Sequence, residues 1–180
     1  MINENVKNFL IIAGVGRAGT TSLFQYLAQH PDICPSDIKE VNYFSSIRYP
    51  GYELPPLEDY FAHFSGCKGQ PIYLEASPGY FPAGKETAQR IASTLPNVKV
   101  MIILREPVSR LISFYHFYKS RLAISPEKTF DTYVAQCKSL SEKDLLDPSK
   151  RAFWGLHECF YDQFISDWFQ VFPAEKIRIF

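Results

Sequence analysis

An apolar run, followed by glycines and then by a helical pattern, stands near the start of the chain. The run covers Phe9–Ala13 and has the length of a strand that is buried on both faces, as strands of parallel sheets are. Glycines interrupt it at Gly14, Gly16 and Gly19. Beyond them, apolar residues recur at helical spacing as far as Leu27. The pattern predicts a strand, a glycine-rich turn and a helix in that order.

The same alternation continues along the chain. Apolar runs predict further strands at Ile72–Glu75, Val98–Leu104 and Lys176–Phe180. Helical patterns lie at Leu57–Phe64, at Gly84–Thr94, from Pro107 onward and at Phe130–Cys137. The stretch that follows Pro31 is rich in turn residues and predicts mainly loop. Strands that alternate with helices predict an α/β fold in which helices flank a central parallel sheet.

Aromatic residues near the C-terminal end also recur at helical spacing. They are Phe153, Phe160, Phe164, Trp168 and Phe172. Such a stripe is typical of a helix face that packs against a core. We therefore expect these five side chains to be buried.

Length and charge narrow the classes of protein that fit. At 180 residues the chain has the size of one domain, 1–180, and 46% of its residues are hydrophobic. Nineteen Lys and Arg residues balance nineteen Asp and Glu residues, which removes the usual electrostatic basis for binding nucleic acid or an anionic membrane. The N-terminal segment has no basic signal region, and the apolar run after it is too short for a signal peptide or a membrane span. A cytoplasmic protein is predicted.

The cysteines are widely separated along the chain. They stand at Cys34, Cys67, Cys137 and Cys159, without a Cys-x-x-Cys pair. This spacing argues against a zinc site and against a disulfide framework. We expect free thiols.

The glycine-rich turn has the features of an anion-binding loop. Glycine allows positive φ angles and a close approach of backbone N–H groups to a ligand, and the N-terminus of the next helix carries a partial positive charge. Thr20 and Thr21 are candidates to cap that helix. The spacing matches a nucleotide-triphosphate P-loop, except that Thr20 replaces the lysine that would reach the β- and γ-phosphates. The cation stands three positions earlier, at Arg17, so its charge is aimed differently at the anion.

At this loop the sequence resembles the sulfotransferases that use 3′-phosphoadenosine 5′-phosphosulfate (PAPS), of the carbohydrate, heparan and bacterial types. Their 5′-phosphosulfate loop has Lys or Arg followed by x-Gly-Thr-Thr, which is matched here by Arg17, Gly19, Thr20 and Thr21. The resemblance implies a P-loop-like three-layer fold. It also implies PAPS as cofactor, adenosine 3′,5′-bisphosphate as its product, and no metal ion. The implied cofactor-binding residues of the loop are Gly14, Gly16, Arg17, Ala18, Gly19, Thr20 and Thr21.

A candidate catalytic base follows the loop. Carbohydrate-type and many bacterial sulfotransferases have a Lys-Glu-x-x-x-Phe segment at about this distance, and Lys39, Glu40 and Phe44 fit it. In the family the glutamate is the proposed base, and sulfuryl transfer needs a group that takes the proton of the acceptor atom. The resemblance therefore implies that Glu40 and Arg17 are catalytic, with Arg17 stabilising charge on the transferring group.

Another segment resembles the family's Glu-Lys-Ser/Thr-Pro-x-Tyr sequence near the acceptor. Glu75, Ser77 and Tyr80 match and are the predicted substrate-binding residues, whereas Ala76 replaces the usual lysine. Glu75 stays a reserve candidate for the base. His116 is a second reserve candidate, although local packing is the favoured interpretation of this side chain.

The strongest match to the family follows the predicted strand at Val98–Leu104. The 3′-phosphate motif has an arginine at a strand end, a proline two residues later and a serine eight residues after the arginine. Arg105, Pro107 and Ser113 have this spacing. A guanidinium suits phosphate as a forked donor, and a serine about two turns into the helix can donate to the same oxygens. Arg105 and Ser113 are therefore predicted to bind the 3′-phosphate.

The function implied is direct in-line transfer of a sulfuryl group from PAPS to a hydroxyl acceptor, in preference to an amine. Relative to the family, the chain is expected to lack the C-terminal third of the domain. Two alternatives stay open. One is a P-loop kinase or NTPase, disfavoured by Thr20 and by the lack of a strand that ends in an Mg²⁺-binding aspartate. The other is a truncated nucleotide-binding module without turnover.

Charge and aromatic content predict the class of acceptor. Between Pro31 and Phe81, three basic residues stand against seven acidic ones, which disfavours a polyanion. The same span holds ten Tyr and Phe residues, which would suit a sugar ring or an apolar alcohol. The prediction is a neutral alcohol on a small molecule, glycan or lipid, with no nucleic acid partner and no stable membrane insertion.

Overall fold

The computed structural model describes residues 8–45, 49 and 51–180. In these ranges the strands are β1 (Asn8–Gly14), β2 (Ile33–Pro35), β3 (Ile72–Ala76), β4 (Val98–Ile102) and β5 (Ile177–Ile179). The α-helices are α1 (Thr20–Leu27), α2 (Leu57–Ala62), α3 (Gly84–Thr94), α4 (Pro107–Ser120), α5 (Phe130–Lys138) and α6 (Tyr161–Phe169). Among these described helices, none is both long and apolar enough to cross a membrane.

The strands form one sheet. Its order is β2-β3-β1-β4-β5, and every neighbouring pair is parallel. The predicted α/β class, with a central parallel sheet and flanking helices, is confirmed. All strands located from the apolar runs are present, and the helix that begins at Pro107 starts where the sequence predicted it.

The chain divides into two compact units. The first takes in the described residues up to Leu104 together with Phe164–Phe180, and it contains the sheet. The second is Arg105–Gln163, with α4, α5 and a core of its own. A single domain over 1–180 stays a prediction.

Both faces of β1 are buried in the first unit. On one face Ile12 lies in a cluster that α1 covers, formed by Ile12, Phe24, Ile33, Leu74 and Ala76. On the other face the centroid of the Phe9 ring lies about 6 Å from the centroids of four aromatic rings, which belong to α2, to the turn after it and to β3: Tyr60, Phe61, Phe64 and Tyr73. Successive side chains of a strand point to opposite faces, so Glu75, the register partner of Ile11, belongs to this aromatic face.

Strand β2 was not predicted from the sequence. It is three residues long, ends in Pro35 and pairs with β3 at the edge of the sheet, with Ile33 opposite Ile72. A run of this length contains too few positions for any periodicity to show. The pairing with β3, rather than the local sequence, makes this segment a strand.

The aromatic stripe is only partly buried. Phe164, Trp168 and Phe172 are buried as predicted, and the Trp168 Nε1 donates to the Phe81 carbonyl (3.1 Å). Phe153 is half-buried, and Phe160 is 57% exposed. Phe160 precedes α6, and the residues before it form short 3-10 turns, so it does not share the phase of the helix face.

The prediction that all four thiols are free is wrong for two of them. Cys34 of β2 and Cys67, which follows α2, form a disulfide, whereas Cys137 and Cys159 are free. The same two segments are joined by the Asp37 N–H, which donates to the His63 carbonyl (2.9 Å). Sequence spacing did not reveal the bond because the partners are 33 positions apart and only the fold brings them together. Disulfides are typical of oxidising compartments, which argues against the cytoplasmic prediction.

Loss of the disulfide should lower stability. Cys34→Ser with Cys67→Ser should reduce the free energy of unfolding by about 2–4 kcal/mol, since the bond restricts a loop of this length in the unfolded chain. Urea unfolding with and without reductant measures the effect. Reductant should shift the midpoint of the parent and leave that of the double variant unchanged. Equal midpoints for the oxidised parent and the double variant would contradict the bond's role.

Candidate functional site

The glycine-rich loop leaves the carboxyl end of β1. Gly14 is required by packing, because a Cβ there would lie 2.5 Å from Phe81 Cβ. Arg17 is exposed and has a left-handed backbone (φ 72°), as has Gly19 (φ 96°). Left-handed residues within a turn make the concave backbone surfaces that bind anions. Gly16 and Gly19 have open space where a Cβ would stand, so a ligand can approach the backbone there.

The helix after the loop is capped differently from the prediction. Neither Thr20 nor Thr21 is the N-cap; Gly19 occupies this position, and no side chain bonds to the helix start. Thr20 is the first helical residue and is buried, while Thr21 is exposed. The N–H groups of the first helical turn have no partner within the helix. They face the loop with the positive end of the helix dipole, which is an arrangement suited to phosphate or sulfate.

Glu40 lies in a second loop, residues 40–44, called here the Glu40 loop. Its carboxylate is exposed and forms an ion pair with Lys39 Nζ (2.8 Å). The Glu40 backbone is left-handed (φ 68°), as is that of Asn42 (φ 57°). Residues other than glycine rarely adopt this conformation, and it concentrates at functional sites.

Glu75, Ser77 and Tyr80 are fully buried (0% exposed each). Ser77 Oγ donates to Glu75 Oε1, and Tyr60 OH donates to Glu75 Oε2 (3.1 Å). Burial raises the pKa of the Glu75 carboxyl, and hydrogen bonds from Ser77, Tyr80 and Tyr60 oppose this rise. Contact with an acceptor, predicted for these residues, would require the protein atoms that cover them to move. Their substrate-binding role, and that of Glu75 as reserve base, stay predictions.

The 3′-phosphate motif lies in the second unit. Arg105 is exposed, and its carbonyl accepts a hydrogen bond from Tyr161 OH (2.9 Å). The Glu106 carboxylate caps α4 by accepting from Val108 N–H (2.9 Å) and Ser109 N–H (2.7 Å). Hydrogen bonds from the Ser109 side chain and backbone lower the pKa of Glu106.

Further along α4 lie the other two predicted candidates. Ser113 is half-buried in the second turn of the helix. His116 is exposed and packs its ring against Tyr115 (5.1 Å between centroids), in line with the favoured packing role.

A buried ion pair between α4 and a later segment of the same unit was not predicted from the sequence. Arg110 NH2 lies 2.7 Å from Glu158 Oε2, and the Arg110 side chain is 1% exposed. The guanidinium also donates to the Gly155 carbonyl (3.1 Å) and contacts Cys159 Sγ (3.4 Å). The pair therefore ties α4 to residues 155–159. An arginine of a helix pattern gives no sign of its partner 48 positions away.

The aromatic residues between Pro31 and Phe81 mostly build the core. Six of the ten are buried, namely Tyr43, Phe44, Tyr60, Phe64, Tyr80 and Phe81. Tyr52 is exposed (45%), and the rest are half-buried. The aromatic content therefore does not describe an acceptor surface, because most of these rings pack on the sheet and on each other. Composition alone could not separate core rings from surface rings.

The sequence matches a family of known proteins. The Sulfotransferase domain family model matches residues 7–167. The membrane-associated sulfotransferase kil1 of Dictyostelium discoideum is 38% identical over 112 residues, covering 62% of this chain and 23% of that protein. Human heparan sulfate glucosamine 3-O-sulfotransferase 5 is 27% identical over 173 residues, covering 94% of this chain and 46% of that protein. The chain thus spans less than half the length of these curated relatives.

A solved structure shares the fold. The crystal structure of a sulfotransferase from Alicyclobacillus acidocaldarius aligns with a TM-score of 0.80 at 26% identity, covering 96% of this chain and 72% of that one. This match confirms the P-loop-like fold class that the resemblance implied. The family model covers most of the chain, from β1 into α6. The chain belongs to the Sulfotransferase domain family.

Proposed function

We propose that the chain carries the cofactor-binding and base-bearing part of a PAPS-dependent sulfotransferase that acts on a hydroxyl group. One observation carries the proposal. The loop after β1 combines left-handed Arg17 and Gly19 with a helix start that no side chain caps. One anion can then be bound by three groups together: backbone N–H groups, the helix dipole and a guanidinium. This set of donors fits a 5′-phosphosulfate.

Each candidate residue has a stated part in the reaction. Arg17 and the N–H groups of the loop stabilise negative charge on the sulfuryl group as it is transferred. Glu40, whose carboxylate is exposed, takes the proton from the acceptor hydroxyl. Arg105 and Ser113 bind the 3′-phosphate of the donor. Lys39 Nζ pairs with Glu40 Oε1 at 2.8 Å and so holds the carboxylate beside the loop.

The acceptor proposed is a neutral alcohol on a glycan or a small molecule. Six of the seven acidic residues between Pro31 and Phe81 are exposed, and Glu75 is buried. Lys39 and Lys68 are the described basic residues of this span, and Arg48 lies outside the described residues. The negative excess disfavours a polyanion. The human relative is named for a heparan sulfate acceptor, so heparan chains are the comparison that tests this point.

A transfer assay tests the proposed function. The protein is incubated with PAPS labelled with ³⁵S and with neutral glycans, small alcohols and heparan sulfate in parallel. We expect label to appear in a neutral hydroxyl acceptor and adenosine 3′,5′-bisphosphate to form in equal amount. Preferred labelling of heparan sulfate would refute the charge argument, whereas absence of label from every acceptor would refute turnover and favour a nucleotide-binding module.

Arg105→Ala should weaken binding of adenosine 3′,5′-bisphosphate by about tenfold or more, because a charged donor to the 3′-phosphate is removed. Arg151→Ala removes another exposed arginine of the second unit and serves as the matched control. Calorimetric titration of the three proteins measures Kd. Equal affinities for the parent and Arg105→Ala would remove Arg105 from the 3′-phosphate site.

A further inference from the structure

The Glu40 loop is held by the last residue of β3 and by the residues that follow it. Three alternate backbone N–H groups of the loop donate to this segment: Glu40 N to the Ala76 carbonyl (2.9 Å), Asn42 N to Ser77 Oγ (2.9 Å), and Phe44 N to Tyr80 OH (3.4 Å). The alternation is that of a strand edge, but two of the acceptors are side-chain hydroxyls. The conformation of the loop therefore depends on which way these hydroxyls point.

The Glu75 carboxylate fixes how the hydroxyl groups of Ser77 and Tyr80 are oriented. A hydroxyl accepts from a backbone N–H when its own hydrogen is engaged elsewhere. Ser77 donates its hydrogen to Glu75 Oε1, so the lone pairs of Ser77 Oγ are presented to the Asn42 N–H. The Tyr80 hydroxyl is buried beside the same carboxylate; burial, and then the charge of Glu75, raise the pKa of Tyr80, and its oxygen accepts from the Phe44 N–H.

Glu75 occupies a place that would suit an apolar side chain. It is the register partner of Ile11, which is also fully buried, and it lies on the aromatic face of the sheet. Burying a carboxylate costs free energy unless hydrogen bonds compensate, and here Ser77, Tyr60 and Tyr80 supply them. An apolar replacement would avoid that cost. It would also leave the two hydroxyls free to rotate.

The backbone of the loop needs such support. Glu40 and Asn42 are both left-handed residues with side chains, a conformation that persists only where the surroundings impose it. The Asn42 side chain makes two local bonds: Nδ2 donates to the Glu40 carbonyl (2.8 Å), and Oδ1 accepts from Ser45 Oγ (3.1 Å). The N–H groups of the turn are held from outside it by Ala76, Ser77 and Tyr80.

We infer that Glu75 is a positioning residue, which sets Ser77 and Tyr80 as acceptors for the Glu40 loop and thereby aims the Glu40 carboxylate. The inference rests on the proposed function of Glu40 as base. It gives the buried Glu-x-Ser-x-x-Tyr residues a role that does not require them to touch the acceptor. The exposed Glu40 does the chemistry, and the buried network fixes where it stands.

Two variants remove one support each. Ser77→Ala deletes the acceptor for Asn42 N–H, and Tyr80→Phe deletes the acceptor for Phe44 N–H. We expect kcat to fall about 10–100-fold in each, with the Kd for adenosine 3′,5′-bisphosphate within about twofold of the parent. Amide hydrogen exchange should rise by about tenfold or more at Asn42 in the first variant and at Phe44 in the second.

Two further variants separate positioning from general loss of structure. Ser77→Thr keeps the hydroxyl and should restore both kcat and Asn42 protection relative to Ser77→Ala. Tyr60→Phe also deletes a buried hydroxyl bonded to Glu75, but this hydroxyl donates to Glu75 and not to the loop, so protection at Asn42 and Phe44 should stay near that of the parent. Thermal unfolding of all variants records the structural cost separately.

If Ser77→Ala and Tyr80→Phe keep the parent's kcat, or leave Asn42 and Phe44 exchange unchanged, the network does not position the loop. A parent without sulfuryl transfer to any acceptor would instead refute the proposed function. Amide hydrogen exchange can be measured without enzymatic activity. In that case too, it shows whether Ser77 and Tyr80 hold the Glu40 loop.

Discussion

Glu40→Gln is expected to lower turnover by roughly 10²–10⁴-fold, the range for removing a general base. The substitution keeps the size of the side chain and removes its basicity, so the acceptor hydroxyl keeps its proton as transfer begins. Binding of adenosine 3′,5′-bisphosphate should change little, because Glu40 acts on the acceptor. Steady-state kinetics with saturating PAPS, together with calorimetric Kd values, measure both quantities.

The control is Glu175→Gln, which neutralises an exposed carboxylate outside the loops of the site. It should retain the parent's kcat. A near-parental rate in Glu40→Gln would pass the role of base to Glu75 or His116. Of these two, His116 is exposed and Glu75 is fully buried, so His116→Gln would be measured next.

Arg17→Ala should lower kcat far more than it weakens binding of adenosine 3′,5′-bisphosphate. The reason is its place within the loop, where its charge acts on the sulfuryl group that the bisphosphate product no longer carries. An interaction that strengthens in the transition state affects kcat, while uniform binding affects affinity. Single-turnover rates and Kd values for the same samples separate the two effects.

Arg90→Ala, an exposed arginine on α3, is the matched control and should leave both quantities unchanged. Arg17→Lys keeps the charge without the planar fork and should recover part of the rate. Losses of equal size in kcat and in bisphosphate affinity would show that Arg17 binds the cofactor uniformly. That outcome would leave loop N–H groups as the main stabilisers of the transferred group.

The central strand of the sheet, β1, could be predicted from sequence because it is buried on both faces. Phe9–Ala13 is apolar at every position, and such a run has few alternatives to a central parallel strand. The edge strand β2 has three residues and exists through its pairing with β3, so no local pattern could reveal it. The disulfide between Cys34 and Cys67 depends on the same tertiary placement.

The parts of the site differ in how far local sequence determines them. The glycine loop was predicted correctly as a turn, yet its cap was assigned to a threonine. Threonine is a common N-cap, but left-handed Gly19 takes that position here and places Thr20 inside the helix. The burial of Glu75 could not be predicted from the sequence, for a different reason. A carboxylate at a strand end suggests an exposed group, and only the register with Ile11 and the packing of Tyr60 show the contrary.

The central claim is that the loop after β1 serves a PAPS-type ligand and not a nucleoside triphosphate. Calorimetric titration of the parent chain with adenosine 3′,5′-bisphosphate, and separately with ATP and Mg²⁺, tests it most directly. We predict saturable binding of the bisphosphate and, because Thr20 stands where a P-loop has lysine, at least about tenfold weaker binding of ATP with Mg²⁺. Tighter binding of ATP with Mg²⁺ than of the bisphosphate would contradict the account and restore the kinase or NTPase alternative.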